Sequence, residues 1–154
     1  METLAQESGL EAVLLRYGFF YGPETWFSRD GDVGEQVRRS EVLVIGNGEG
    51  ISNWVHVEDA AAATCAALTV DPGVYNVVDD QPVAQSVWLA AFAKFLGAPY
   101  PPTVSEEQAL RNSGPDAVYY ATKLREASNR KARGKLSFRP RPLEWLGAQA
   151  STAV

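Results

Sequence analysis

The segment EAVLLRYGFFYG, residues 11–22, decides the fold of this chain. It is a continuous apolar run with β-branched and aromatic side chains, which is typical of a strand buried on both faces. Residues 2–8 have the character of the last turns of a helix, and Gly9 is a typical helix-terminating residue. A helix end, a short loop and a doubly buried strand form half of a βαβ unit, so the sequence predicts an α/β fold.

The bulk composition is that of a globular protein. The chain has 154 residues, 45% hydrophobic and 21% charged, enough for one domain with a real core. No apolar run approaches the length of a membrane span, and the acidic N-terminus lacks the features of a secretory signal. A single cysteine, Cys65, predicts a reduced, cytoplasmic protein, and with a single histidine, His56, it predicts no metal site.

The charge is unevenly distributed along the chain. Residues 1–110 carry sixteen acidic and five basic side chains, whereas residues 111–141 carry nine basic and two acidic ones. The basic third has no interleaved aromatic residues and no nucleic-acid-binding motif, so a solvated helix face is the better interpretation. We therefore expect no nucleic-acid partner.

Hydrophobic periodicity and turn residues predict the remaining elements. We expect a short helix near Val33–Arg39, a strand in VYNVVDD and further helices near residues 105–112 and 128–135. The pattern leaves the type of DAVYYATKL open and indicates a final amphipathic stretch at 143–149. The two longest predicted helices are EDAAAATCAAL and SVWLAAFAKFLG, the second closed by Gly97.

The glycines of GNGEG, residues 46–50, have two interpretations. A dinucleotide-binding glycine loop must open directly into a helix, whose N-terminus then faces the pyrophosphate. Here Ile51, Trp54 and Val55 continue as a strand, and Asn-Gly is a hairpin signal. The sequence therefore predicts a β-hairpin across residues 41–57.

Four segments follow one another in the order of a known family pattern. They are LLRYGFFYGP, GNGEGISNWVHVEDAAAA, GVYNVVDD and SNRKARGKLSFRP. With them, residues 2–140 resemble the C-terminal part of an extended short-chain dehydrogenase/reductase of the NAD-dependent epimerase/dehydratase family. The resemblance implies a Rossmann-type remnant over residues 1–23, mainly a small α/β substrate-binding lobe over 24–147, and a tail at 148–154.

The resemblance also implies where the chemistry of such enzymes resides. Members bind NAD or NADP on a glycine-rich loop and use a Tyr-x-x-x-Lys pair for proton transfer. Met1–Thr3 aligns with the end of the helix that carries the pair, so we expect the loop and pair to precede Met1 and assign no catalytic residue here. Tyr119 and Lys123 have the right spacing but follow the LRYG strand by about a hundred residues, so we interpret them as structural or substrate-lining.

Site residues can be transferred only where the pattern corresponds. Tyr17 and Gly18 fall where the family chain passes the nicotinamide carboxamide, although Tyr17 could equally be strand core. Phe19 stands where nucleotide-sugar enzymes usually have asparagine, and Ser52 where they have a diphosphate-binding arginine. We therefore expect an aromatic, apolar substrate side formed by these two positions and by Phe20, Tyr21, Trp26 and Trp54.

Three polar residues are weaker candidates for a functional role. His56 invites a general-base role, but a hydrogen-bonded structural histidine is the better interpretation. Asp59 is expected to fix the start of the alanine-rich helix. Arg111 could replace part of the missing diphosphate contact, although its surroundings match the family loosely.

These observations predict the substrate-binding portion of an NAD(P)-dependent oxidoreductase, acting on a small, partly hydrophobic carbonyl compound or alcohol and inactive alone. A non-catalytic binding or sensor module, or a nucleotide-sugar epimerase/dehydratase, are the alternatives. The partner is expected to be a small-molecule substrate, with self-association through the exposed edge of strand 11–21.

Overall fold

The computed structural model describes residues 11–147 as a mixed α/β fold. The predicted helix at 2–8 and the tail at 148–154 lie outside the described residues. The strands are β1 Val13–Tyr17, β2 Phe19–Tyr21, β3 Val44–Ile45, β4 Ile51–Ser52, β5 Trp54–His56, β6 Gly73–Val77, β7 Val83–Ala84 and β8 Thr103–Val104. The helices are α1 Asp32–Arg38, α2 Val57–Ala67, α3 Gln85–Leu96, α4 Glu106–Thr122 and α5 Arg130–Lys135.

Parallel pairing joins distant parts of the sequence. β1 pairs with β6, β2 with β5 and β3 with β8, all in parallel, whereas β4 and β7 pair antiparallel. The prediction of an α/β fold with parallel strands is confirmed. The β1–β6 pair connects residues on both sides of the domain boundary expected at residue 23.

The predicted single strand over residues 11–21 is two strands. The chain breaks at Gly18, where it leaves β6 and joins β5. The β1 side chains are half-buried or exposed, so β1 is not buried on both faces in the described structure. The even-numbered residues from 12 to 18 make the backbone hydrogen bonds to β6. At the two ends of the strand pair, Gly73 N donates to Ala12 O, and Gly18 N donates to Val77 O.

The predicted hairpin at residues 41–57 is wrong. A local turn does form, because Gly48 N donates to the carbonyl oxygen of Ile45 at 2.9 Å. However, β3 then pairs with β8, and β4 pairs with β7, so the strands on either side of the turn do not pair with each other. As predicted, GNGEG leads into a strand and not into a helix.

The helices follow their local signals with two corrections. Gly97 ends α3 in the left-handed conformation, and Ser105 with Gln108 forms a capping box at the start of α4. α4 extends past the predicted 105–112 and includes most of the undecided segment, as far as Thr122, with a kink at Gly114, whose φ is 85°. The stretch expected at 143–149 is a series of turns as far as Gly147.

The core has two main parts. The first, which we call the aromatic core, packs β2, β5 and α3 with Trp145 and contains Tyr21, Trp54, Trp88 and Phe92. The second lies between the β1–β6 pair and helices α2 and α5. Small alanines on α2 allow the helix to pack closely against the strands. No helix within residues 11–147 is long and apolar enough to cross a membrane.

Candidate functional site

The junction of β1 and β2 places the candidate site. At Gly18 the chain passes so close to the start of β5 that a Cβ would lie 2.6 Å from the carbonyl oxygen of Asn53. The next residue, Phe19, donates its backbone N–H to the same oxygen at 2.9 Å. A side chain at position 18 would therefore push the two strands apart, which explains the glycine between two bulky aromatic residues.

Two clefts open on either side of this junction, and Gly18 and Phe19 line both. The first, which we call the aromatic cleft, has a volume of about 470 Å³. Its other lining residues are Phe20, Glu24, Thr25, Trp26, Phe27 and Val57. Phe20 is 42% exposed and Trp26 70% exposed, which is unusual for side chains of this size. The site residues Phe19, Phe20 and Trp26 thus lie together on one apolar surface.

The second, which we call the mixed cleft, has a volume of about 620 Å³. Tyr17 lines it together with Gly18 and Phe19. The remaining walls come from β1, β4, β6, α4 and the segments that follow them. These lining residues are Arg16, Ile51, Asn53, Asn76, Val78, Tyr120 and residues 124–128. Phe19 meets Tyr120 across this cleft, edge to face, with ring centroids 6.1 Å apart.

The side chain of Tyr17 is engaged within the protein. Its hydroxyl is hydrogen-bonded to Thr64 Oγ1 on α2, and its ring lies 5.3 Å from that of Phe20. Its backbone N–H and C=O face away from β6, because the even-numbered neighbours Arg16 and Gly18 make the ladder bonds. Tyr17 therefore offers backbone groups, and not its phenol, to a molecule at this end of β1.

Three of the expected substrate residues lie in the core. Tyr21 and Trp54 are fully buried, Ser52 is 4% exposed, and none of them lines either cleft. Tyr21 donates its hydroxyl to the carbonyl oxygen of Pro142 at 3.1 Å, and burial raises the pKa of this phenol above its ordinary value. Of the six expected substrate residues, Phe19, Phe20 and Trp26 therefore remain candidates for the wall of a substrate site.

His56 is a structural residue, as the sequence indicated. It is the N-cap of α2, and its Nδ1 accepts a hydrogen bond from the backbone N–H of Glu58 at 3.2 Å. Asp59, which is expected to fix the start of the same helix, lies in its first turn but does not cap it. Its carboxylate instead accepts hydrogen bonds from the backbone N–H and the Nε of Arg141.

A buried polar pair near the mixed cleft has no counterpart among the sequence predictions. Asp79 Oδ1 accepts a hydrogen bond from the backbone N–H of Trp54 at 3.1 Å. Asn53 Oδ1 accepts a hydrogen bond from the backbone N–H of Ala127 at 2.7 Å. Burial raises the pKa of the Asp79 carboxyl, and the hydrogen bond from the backbone of Trp54 opposes this effect. The pair fixes the start of β5 and the segment after α4, both of which form the mixed cleft.

The remaining candidates lie apart from the clefts. Tyr119 is half-exposed and makes no hydrogen bond to Lys123 through its side chain in the described structure, although its ring meets that of Tyr120. Arg111 is paired with Glu107 on its own helix and lines neither cleft. Within residues 11–147 no group of three metal-ligating side chains comes together.

This arrangement of β1, β6 and the α2 helix coincides with a sequence match. The sequence model of the NAD dependent epimerase/dehydratase family matches residues 1–78, which include all of the strands β1 to β6. The chain belongs to the NAD-dependent epimerase/dehydratase family. Its fold is accordingly α/β of the Rossmann type found in extended short-chain dehydrogenases/reductases.

Relatives of this epimerase/dehydratase chain include a curated enzyme and solved structures. 3-Diazoavenalumate denitrifying reductase of a Streptomyces species is 35% identical over 146 residues, which are 94% of this chain and 48% of that protein. A functionally unknown conserved protein of Silicibacter pomeroyi DSS has a TM-score of 0.66 at 27% identity, covering 86% of this chain and 45% of that one.

A third similarity is to UDP-glucose 4-epimerase of Thermus thermophilus, solved in complex with NAD. It has a TM-score of 0.63 at 24% identity, and the match covers 95% of this chain and 47% of that one. A match at 24% identity shows that the two chains share a fold. The chain spans about half the length of the relatives it matches.

The family implies a nicotinamide dinucleotide, and the described residues fit one end of it. The outward backbone groups of Tyr17 suit the two-sided hydrogen bonding of a carboxamide. No glycine of GNGEG provides a cradle for the phosphates. A Cβ on Gly48 would meet Ser86 N at 2.7 Å, and one on Gly50 would meet Tyr120 O at 2.3 Å, so the protein itself fills both places.

Proposed function

We propose that this chain supplies the substrate-binding portion of an NAD(P)-dependent reductase that acts on a small, partly hydrophobic carbonyl compound or alcohol. The observation that carries the proposal is the aromatic cleft, where Phe19 and Phe20 of β2 and Trp26 of the following loop present large apolar surfaces. Exposed aromatic side chains that line a cleft gain free energy when a planar apolar ligand covers them.

Each residue of the junction has a distinct role in this proposal. The backbone of Tyr17 orients the carboxamide end of the cofactor, which supplies the hydride when bound. Gly18 allows the close approach of β5 that holds Phe19 in place, and Phe19 forms the wall common to both clefts. Phe20 and Trp26 bind the apolar part of the substrate and exclude water from it. We assign no proton donor to these residues and expect the chain alone to be inactive.

A nucleotide-sugar substrate is less well supported by the same positions. The asparagine of nucleotide-sugar enzymes is replaced by Phe19, and Ser52, at the arginine position, is buried in the β4–β7 pair. A nucleotide sugar would lose an amide contact at the first position and a charge-assisted hydrogen bond to its diphosphate at the second.

The curated relative favours a second candidate within the same reaction class. Its name describes a denitrifying reductase that acts on a diazo compound. At 35% identity the two chains can share a substrate class, so reduction at a diazo group, and not at a carbonyl group, is our second candidate. A cytoplasmic location, indicated by the single cysteine, is also part of the proposal.

Binding of a small aromatic ketone tests the proposed function. We expect the chain to bind acetophenone in an NMR shift titration and Trp26→Ala to weaken binding about tenfold, because it removes the most exposed wall of the aromatic cleft. Tyr100→Ala is the matched control, since Tyr100 is 73% exposed and lines neither cleft. Preference for UDP-glucose over acetophenone, or no acetophenone binding at all, would overturn the proposal.

We also propose that two copies of the chain associate through β1. Within residues 11–147 this strand has a hydrogen-bonded neighbour on one side only, and the backbone groups of Val13, Leu15 and Tyr17 face the open side. An apolar edge of this kind is a template for strand pairing.

Val13→Pro is expected to convert this association to monomers, because proline removes an outward N–H at the first residue of the strand without breaking a bond to β6. Light scattering coupled to size-exclusion chromatography measures the mass. Val13→Ala keeps the N–H and should associate like the unaltered chain. If the unaltered chain is monomeric at about 0.1 mM, or if both variants behave alike, the edge is not the interface.

A further inference from the structure

The aromatic cleft contains a single charged side chain. Among its lining residues only Glu24 is ionisable, and no lysine or arginine of residues 11–147 lines it. The neighbouring polar side chain, Thr25, is already engaged, since its hydroxyl donates to the carbonyl oxygen of Gly22 at 2.8 Å. A ligand that covers the apolar walls of this cleft therefore meets one carboxylate.

The carboxylate of Glu24 has no partner in the part of the chain that the structure describes. It makes neither a hydrogen bond nor an ion pair with another group of residues 11–147. Arg29 lines a neighbouring cleft together with Glu24 but is engaged elsewhere. Its Nη1 donates to the carbonyl oxygen of Phe95 at 3.1 Å, and its guanidinium lies 3.8 Å from the centre of the Phe95 ring. The Glu24 carboxylate is thus available to a ligand.

The backbone holds Glu24 in an unfavourable conformation. Thr25 N donates to the carbonyl oxygen of Gly22 at 3.3 Å, which closes a turn with Pro23 in the second place and Glu24 in the third. The φ angle of Glu24 is 61°, in the left-handed region that favours glycine at the third place of such turns. Residues that keep a side chain despite this cost are typical of functional sites.

The aromatic rings of the cleft are open to a ligand. Trp26 meets no other aromatic ring within residues 11–147, and most of its side chain is exposed. The cation–π contacts of the described structure use the rings of Phe95 and Tyr75, so they leave the rings of the cleft uncovered. An indole face attracts a cation more strongly than other aromatic rings do. An open indole and an unpaired carboxylate in one cleft are groups that recognise an organic cation.

We infer that the substrate is a carbonyl compound that carries a cationic group, such as a protonated amine on an aromatic ring. Its apolar part covers Phe20 and Trp26, and its cationic group binds the Glu24 carboxylate. The inference rests on the proposed function and names the substrate class of the same site. It makes Glu24 a specificity-determining residue, which follows the C-terminal end of β2 and binds the substrate away from the cofactor end proposed at Tyr17.

The test compares acetophenones that differ in charge at one position of the ring. The full chain is titrated by NMR with 4-(aminomethyl)acetophenone, a cation at neutral pH, with the neutral 4-(hydroxymethyl)acetophenone and with the anion 4-acetylbenzoate. Because Glu24 and Trp26 are exposed and water screens their attraction, we expect the cation to bind about fivefold more tightly than the neutral compound, and the anion most weakly. Glu24→Gln is expected to abolish the preference for the cation.

Asp30→Asn is the matched control. Asp30 lines the neighbouring cleft together with Glu24 but does not line the aromatic cleft. The chain has a net charge of −5 and attracts cations in general, and both variants reduce this charge equally. We therefore expect Asp30→Asn to keep the preference that Glu24→Gln loses. The NMR spectra of both variants also show whether the fold is retained.

The outcomes separate this inference from the proposed function. If the cation and the neutral compound bind equally, if the anion binds most tightly, or if Glu24→Gln and Asp30→Asn have the same effect, the cation site is wrong while the proposal of a partly hydrophobic carbonyl substrate stands. If none of the three compounds binds and acetophenone does not bind either, the proposed function fails as well.

Discussion

Replacement of Trp54 by alanine is expected to lower the free energy of unfolding by about 3–5 kcal/mol. The side chain is fully buried, and its ring lies 4.8–5.5 Å from those of Phe19, Phe27, Trp88 and Trp145. Alanine would leave a cavity among the four remaining aromatic rings, and rigid rings cannot close it. Since small domains are stable by about 5–15 kcal/mol, much of the margin would be lost. Urea unfolding followed by circular dichroism measures the effect.

Two further variants keep this prediction decisive if Trp54→Ala does not fold. Trp54→Phe retains an aromatic ring and removes an indole N–H that has no hydrogen-bond partner in the described structure, so we expect a loss of about 1–2 kcal/mol. Trp26→Ala removes the same side chain from the surface and should change stability by less than about 0.5 kcal/mol. Equal losses at positions 54 and 26 would show that the aromatic core is not organised around Trp54.

The second large effect is expected for Gly18→Ala, which should destabilise the chain by about 1–3 kcal/mol. The added methyl group would lie 2.6 Å from Asn53 O and 3.0 Å from the carbonyl carbon of Trp54, both of them backbone atoms that cannot rotate away. β1–β6 and β2–β5 would have to separate at the junction. Thermal unfolding measures the loss, and we expect the variant also to lose acetophenone binding.

Gly134→Ala is the matched control for the glycine prediction. Gly134 lies within α5, and a Cβ there meets nothing within 4 Å. Alanine is the better helix former, so this variant should gain up to about 1 kcal/mol. A loss of stability in Gly18→Ala and a gain in Gly134→Ala would show that steric contact, and not backbone entropy, causes the loss at Gly18. If both variants gain stability, the close approach at Gly18 is absent in solution.

Elements with local signals were predictable from the sequence. The alanine-rich run of α2 and the glycine that ends α3 act within one or two helical turns, so the residues concerned are near each other in the sequence. Gly114 shows the limit of this reasoning. A glycine followed by proline normally ends a helix, but here the chain resumes its helical course after a single non-helical residue.

Strand pairing was less predictable because its partners are distant. Asn47-Gly48 does form the turn that its chemistry favours, but the strands beside it bind β8 and β7, which lie far along the chain at Thr103–Val104 and Val83–Ala84. In the same way, nothing local at Gly18 tells the chain to exchange β6 for β5. That exchange depends on Asn53, whose carbonyl oxygen accepts from Phe19.

The site was partly predictable for a related reason. Aromatic character predicted a substrate side at residues 19–26, but it could not distinguish side chains that line a cleft from side chains of the core. Phe20 and Tyr21 are adjacent and point to opposite sides, so one is exposed and the other buried. Tyr120 gave no signal at all, because it reaches Phe19 only through the packing of α4.

The bonds of Tyr21 to Arg141 and Pro142 have a consequence for the synthesis of the chain. They span 120 and 121 residues, and Leu143 and Trp145 complete the same aromatic core. On the ribosome, strand β2 is made about 120 residues before these partners. Until then the Tyr21 ring lacks its contact with Trp145, so the nascent chain exposes this part of the aromatic core for an interval in which it is prone to aggregation.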